Sequence, residues 1–265
     1  MRVVTWNVNS IRVRLTDVTA WIRSHQPDVV LLQETKCTDA AFDAVVRPDL
    51  EHLDYEVAHW GANHYNGVAI ASRVGLDDVR RGFPDAPPAP FDEPRLLSAT
   101  CAGLRLWCVY VPNGRKREDP HWYFKLAWLD RLREAVAAEV ARNAPTIVAG
   151  DVNVQRADID VYDPKRWRNR NHATPEERAA IAAVLDVGLR DVMRERHPEP
   201  GVYTWWNYRP GQFAQNKGMR IDLVLCSPEV ADRVGDVRID AEERAKPISS
   251  DHAPVVVDLD WSTMP

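Results

Sequence analysis

Short apolar runs alternate with longer segments of helical period along the chain. Val3-Val4-Thr5-Trp6 is apolar and β-branched, which predicts a first strand. Residues 11–25 follow, with Ile11, Leu15, Val18 and Ile22 spaced as one face of a helix. Pro27-Asp28 stops it. Val29-Val30-Leu31-Leu32 is apolar without a break, as in a strand covered on both faces. Strand-like runs recur at 55–59, 67–72, 96–101 and 104–110. Asp119-Pro120 reads as an N-cap followed by proline in the first turn. The helix after it carries Leu126, Leu129, Leu132, Val136 and Val140 on one face. Thr146–Ala149 predicts another buried strand. Thr174-Pro175-Glu176-Glu177 is a capping box opening a helix to about Leu185. Ile221–Cys226 and Pro254–Leu259 read as the last strands.

Strands run from residue 3 to residue 259 with no break in composition, which predicts one domain over 1–265. Pro84 to Pro94 reads as a loop between strands. No repeat is clear, apart from an echo between Val4–Asn9 and Val148–Asn153, two apolar strands ending in asparagine. With 45% hydrophobic and 28% charged residues, the composition is that of a soluble globular protein. No apolar run reaches the roughly 18 residues that span a bilayer, and the first residues lack the pattern of a signal peptide. A cytoplasmic monomer without membrane contact is the expectation. Cys37, Cys101, Cys108 and Cys226 form no CxxC pair, so they are expected to be buried thiols and not zinc ligands. The net charge of −5 does not favour a nucleic-acid partner by itself. The basic residues cluster, however, at Arg115-Lys116-Arg117, at Lys165, Arg166, Arg168 and Arg170, and at Arg209, Lys217 and Arg220. All three clusters read as loops, where solvated surface is the plain alternative to a phosphate contact.

Polar residues collect where strands end. Asn7 and Asn9 follow the first strand and Gln33-Glu34-Thr35-Lys36 the second. Asp151 and Asn153 follow the 146–149 strand. Asp222 lies in the strand after Arg220, and Ser249-Ser250-Asp251-His252 precedes the last strand. Ligands of α/β sheets bind at strand ends, so these groups can converge. Their types suit phosphodiester hydrolysis. Glu34 is an oxygen ligand for a hard cation, and Asp151 can activate water. Asn153, Asn7 and His252 can donate to phosphate oxygens, with Asp222 orienting His252 and keeping it protonated. Each residue alone has a structural alternative: an N-cap, a turn at Gly150-Asp151, a surface charge. The missing GxxxxGK[ST] loop argues against nucleoside-triphosphate chemistry.

With these pieces together the chain resembles the exonuclease III type of abasic-site DNA endonuclease, within the wider endonuclease/exonuclease/phosphatase fold. The matching pieces are Thr5–Arg12, Leu32–Lys36, Tyr110–Gly114, Gly150–Asn153, Tyr203–Trp206, Gly218–Asp222 and Ser250–Pro254, in family order and over nearly the whole chain. The resemblance implies an α/β, four-layer, DNase I-like sandwich, with two mixed β-sheets face to face and helices outside. It implies Mg²⁺ or Mn²⁺ at Glu34, with Asn7 and Asp251 close and Asp151 and Asn153 beside them. Asp151 would position or deprotonate water, or donate a proton. Asn153 and His252 would hold the phosphate with Tyr110 and Asn113, and Asp222 would support His252. Trp205 and Met219 would wall a pocket for a base-less sugar, whose flipping costs less than that of a normal nucleotide. Core packing is the alternative for both and for Trp206, and Arg220 joins the expected substrate contacts. Asn9 departs from the pattern, standing where some members carry an acid.

The implied activity is incision of duplex DNA 5′ to abasic sites, with 3′→5′ exonuclease action and processing of blocked 3′ ends. One alternative is another phosphoesterase of the same fold, acting on RNA or a phospholipid. The Trp205-Trp206 and Arg220-Ile221-Asp222 pieces and the lack of a membrane segment speak against it. Another is a DNA-binding protein that lost catalysis, against which stand Glu34, Asp151, Asn153, Asp222 and His252.

Overall fold

The computed structural model describes residues 1–84 and 92–261, so part of the loop expected between Pro84 and Pro94 lies outside the described residues. The chain begins with β1 (Arg2–Asn7), α1 (Ile11–His25) and β2 (Val29–Gln33). Next come α2 (Asp39–Val45), α3 (Arg47–Glu51), β3 (Glu56–Trp60), β4 (Val68–Ser72) and β5 (Asp77–Arg81). β6 (Leu96–Cys101) and β7 (Leu104–Tyr110) lead into the long helix α4 (Pro120–Val140) and β8 (Thr146–Asp151). The last part holds α5 (Pro164–Trp167), α6 (Pro175–Leu185), β9 (Arg190–Asp191), α7 (Val192–Arg196) and β10 (Asp222–Cys226). It ends with α8 (Pro228–Asp232), β11 (Val234–Ile239), α9 (Ala241–Arg244) and β12 (Val255–Leu259).

The strands form two six-stranded mixed sheets, ordered β11-β12-β1-β2-β4-β3 and β5-β6-β7-β8-β10-β9. In the first, only β1 and β2 run parallel; in the second, only β7 and β8 do. Alternation within the strands explains the layering. Val3, Leu31, Ile70, Leu106, Ile147 and Val257 point between the sheets and form one core. Their neighbours Val4, Val30 and Leu32 face α1 and α2 on one outer side. Val109, Val148 and Leu223 face α4 and α6 on the other. The result is the four-layer α/β sandwich that the resemblance implied. All four cysteines are buried free thiols; burial pushes Cys108, between the sheets, up to about 12. Among the described residues no helix is long and apolar enough to cross a membrane.

Several expectations change in detail. The capping box at Thr174 is present, with Glu177 accepting from the Thr174 N–H at 3.0 Å. The buried face of α4 is rotated from the expected one. Trp122, Lys125, Trp128, Leu129, Leu132 and Val136 are buried, while Leu126 and Val140 are half-buried. The sequence echo between the 4–9 and 148–153 segments falls on like positions: β1 lies between an antiparallel and a parallel neighbour, β12 and β2, as β8 does between β10 and β7.

Candidate active site

Both parallel pairs end at one place, on the seam between the sheets. Gly150 lies within β8, not in a turn; its φ is +150°, and a Cβ there would stand 1.9 Å from the Val109 carbonyl oxygen. Glycine lets β8 press against β7 and carries Asp151 to the strand end. Just past the strands, Asn9, Glu34 and Asn153 have φ of 43°, 52° and 53°. That left-handed conformation is uncommon for residues other than glycine, Asn and Asp tolerating it best, and surrounding contacts must hold it.

Asn7 ties the sheets together. Its amide donates to Glu34 Oε1 at 2.8 Å and to Asp151 Oδ2 at 3.0 Å. Ser250 Oγ donates to the Asn7 carbonyl at 2.6 Å, bringing the segment before β12 into the same corner. His252 Nε2 lies 3.7 Å from Asp151 Oδ2, and its Nδ1 lies 2.9 Å from Asp222 Oδ2. The Thr204 hydroxyl accepts from the N–H groups of Ile221 and Asp222 at 3.1 Å, fixing the start of β10. Asn153 donates its backbone N–H to Asp151 Oδ1 at 2.9 Å, and its side-chain oxygen accepts from Asn113 Nδ2 at 3.2 Å. The Arg95 guanidinium lies 4.7 Å over the ring of Tyr110.

The electrostatics set these groups apart. Burial opposes ionisation of Glu34, but Lys36, 2.6 Å from Oε2, and the Asn7 amide hold its carboxyl below the usual range. Burial lifts Asp151 to about 7, opposed by His252 and aided by Asp222 and Glu34. Burial works against a charge on His252, yet Asp222 and Asp151 outweigh it and raise the imidazole to about 10. Burial, with the Glu34 charge, keeps Tyr110 protonated far above its ordinary range. The site thus holds an ionised carboxylate, a carboxyl poised near neutrality and an imidazolium.

Glu34, Asp151 and His252 offer atoms within 4.8 Å of one another that could surround a metal ion. The protonated imidazole cannot be a ligand, so the oxygen donors Glu34 and Asp151 fit a hard divalent cation. Asp251 stands nearby, but its oxygens accept from Asn9 Nδ2 at 3.0 Å and Trp205 Nε1 at 2.8 Å. A cavity of about 180 Å³ opens onto Glu34, Tyr110, Asn113, Asp151, Asn153, Asp251 and His252, with Trp205 and Met219 on its wall. Trp206 points away, buried with Tyr203 and Ala253.

Arg220 is a correction. Its guanidinium is fully buried and never reaches the cavity; Nε donates to Asp160 Oδ1 at 2.7 Å and Nη1 to Asp191 Oδ2 at 2.9 Å. Two buried carboxylates hold the charge beneath the pocket. Other residues of the site were not singled out from the sequence. Lys36 lies beside Glu34, and Trp167 and His172 line the cavity. Burial and the Lys125 ammonium push His172 down to about 4, so it is neutral. Next to the cavity, a second one of about 260 Å³ shares Trp167, Trp205 and Met219 and carries Arg166, Arg170, Arg209 and Lys217. Three of the basic clusters' loops thus reduce to two that meet here.

A seam of acid, amide and imidazolium groups beneath a basic cleft defines a phosphoesterase of the four-layer sandwich class. The chain belongs to the Endonuclease/Exonuclease/phosphatase family, whose profile matches residues 4–252. It is 32% identical to exodeoxyribonuclease III of Haemophilus influenzae, over 96% of this chain and 98% of that one. Among solved structures it is similar to a 3′ phosphatase from Neisseria bound to a product DNA hairpin, at 39% identity and a TM-score of 0.94 over 98% of this chain and 100% of that one. An AP endonuclease from Archaeoglobus fulgidus is similar at 35% identity, with a TM-score of 0.93 over the same shares.

Proposed function

We propose that the protein is a metal-dependent DNA-repair phosphodiesterase, acting as a cytoplasmic monomer on duplex DNA with abasic sites or blocked 3′ ends. The observation that carries this reading is the continuous chain Glu34–Asn7–Asp151–His252–Asp222, which joins the two sheets. Names of similar proteins support it: a 3′ phosphatase, an exodeoxyribonuclease and an AP endonuclease.

Glu34 would be the principal ligand of Mg²⁺ or Mn²⁺, with Asp151 beside it, Asn7 holding both carboxylates, and Asp251 near. Such an ion supplies positive charge to the phosphate oxygens and acidifies water. Asp151, poised near neutrality, orients the attacking water and takes its proton, or gives one to the leaving oxygen. The His252 imidazolium, kept charged by Asp222, donates from Nε2 to a non-bridging oxygen. Asn153, Asn113 and the protonated Tyr110 complete the donor set. Trp205 and Met219 wall the sugar, and Arg166, Arg170, Arg209 and Lys217 hold flanking phosphates.

Incision 5′ to an abasic site and removal of a 3′-phosphate are the same step. Water attacks phosphorus, the bond from phosphorus to the 3′ oxygen breaks, and that oxygen leaves as a hydroxyl. His172 and Trp167 share the 180 Å³ cavity with Trp205 and Met219. The test sets a nicked duplex with a 3′-phosphate beside a duplex with an internal abasic analogue. Conversion of either to a 3′-hydroxyl end supports the reading, and their ratio ranks the activities. No product from either, with a folded protein in Mg²⁺ and Mn²⁺, would refute it.

A further inference from the structure

Lys125 breaks the pattern of its helix. It stands on the buried side of α4, between Trp122 and Trp128, and is 0% exposed. An ammonium has three donors, and here all three find acceptors. It donates to the Asn153 carbonyl at 2.6 Å, to the Asn113 carbonyl at 3.3 Å, and to Glu177 of α6. Glu177 is also fully held, by the Thr174 hydroxyl at 2.9 Å and the His172 N–H at 3.1 Å.

A buried ion pair is a poor device for stability alone, since apolar residues of similar volume often serve as well. The acceptors of this one are informative. They are the backbone carbonyls of the two residues whose amides meet over the cavity, Asn113 Nδ2 to Asn153 Oδ1 at 3.2 Å. Asn153 is in the left-handed conformation, and its carbonyl takes a second contact, from His172 Nδ1 at 2.5 Å. The Asn113-Gly114 turn presses on the same lysine. A Cβ on Gly114 would lie 3.0 Å from Lys125 Cδ and 2.8 Å from Asn171 Oδ1. One ammonium therefore clamps two loops that come from different strands, β7 and β8.

We infer that Lys125 is a positioning residue: from below, it fixes the peptide planes that aim the Asn113 and Asn153 amides at the phosphate. It touches no substrate. The inference rests on the phosphate-binding role proposed above for those amides. Small misplacement of such donors lowers the rate more than binding, because they act most on the transition state.

The test uses the full chain, as wild type, Lys125→Met, and Lys125→Met/Glu177→Gln. The double variant removes both charges, so that no carboxylate is left buried and unpaired if the single variant fails to fold. Thermal melting reports folding. Removal of a 3′-phosphate from nicked duplex gives kcat and KM, and the side-chain amide resonances of Asn113 and Asn153 are recorded without DNA. We expect the double variant to fold, with kcat lower by about 10- to 100-fold, KM little changed, and both resonances shifted or broadened. Wild-type kcat in the folded double variant would overturn the inference, as would unchanged amide resonances. If wild type leaves DNA intact, the functional reading falls, and the resonances still decide whether Lys125 sets the amides.

Discussion

Replacing Asp222 by Asn removes the carboxylate that contributes most to the charge on His252. The two groups are 2.9 Å apart and buried, with side chains 1% and 5% exposed. The wild-type imidazole is raised from 6.5 to about 10 against the effect of burial, by Asp222 first and Asp151 second. That is a preference for imidazolium on the order of 5 kcal/mol. With asparagine the burial effect remains and the larger support is gone, so the pKa falls toward or below its ordinary value. The neutral ring then keeps its proton on Nδ1, facing the amide oxygen, and Nε2 has none to donate. Loss of one such donor lowers kcat by about 10²–10³-fold. The deficit should be full at pH 8 and shrink toward pH 6, where the ring regains its proton. The sign for stability follows. A raised folded-state pKa stabilises fully below about 6.5, and the effect disappears as pH rises through about 10. Asp222→Asn therefore loses stability at pH 7 that wild type keeps. A pH–rate profile from 5.5 to 9 at saturating metal, with thermal melts at each pH, measures both. Wild-type kcat with a flat profile in the variant would refute the assignment.

Arg220→Met should destabilise the fold by about 1–3 kcal/mol, because Asp160 and Asp191 each lose one of two arginine partners and keep Arg194 and Arg156. Denaturant titration reads this, and a stable variant with weakened DNA binding would restore Arg220 to the substrate surface. Asp151 is lifted from 3.8 to about 7 by burial, so its ionisation opposes folding progressively as pH rises above 3.8, and fully above about 7. Asp151→Asn should raise the melting temperature at pH 8 and raise it less at pH 5, while kcat falls about 10²–10⁴-fold; a lower melting temperature at pH 8 would contradict the sign. Alanine at Arg166, Arg170, Arg209 or Lys217 should each lower the slope of log affinity against log salt by about 1. Unchanged slopes would take DNA off this cleft.

The strands that carry the site were legible because their signal is local. β1, β2 and β8 are apolar runs ending in polar groups and β10 is one that begins with Asp222, and the pleat and the chain order bring those ends together. β5 and β11 were not read as strands. β5, Asp77-Asp78-Val79-Arg80-Arg81, is an exposed edge with no apolar face, and β11 is an edge strand with a register shift at its start. The residues missed at the site break a compositional habit. Lysine in a helix reads as solvated, yet Lys125 lies three residues after Trp122 and four before Leu129, both in the buried stripe. His172 sits in a basic, aperiodic stretch, and only tertiary contacts with Asn153 and Glu177 place it. Arg220 failed in the opposite sense: a basic residue in a motif read as a contact, while its partners Asp160 and Asp191 lie 60 and 29 residues away.

In the proposed function, Glu34 and its neighbours hold a divalent ion that DNA cleavage requires. The most direct measurement is conversion of a 3′-phosphate nick or an abasic duplex to a 3′-hydroxyl end, by wild type and Glu34→Ala, with Mg²⁺, Mn²⁺ or EDTA. Product is expected from wild type with metal, none with EDTA, and a drop of several orders of magnitude in the variant. Undiminished product in EDTA, or from Glu34→Ala, would contradict it.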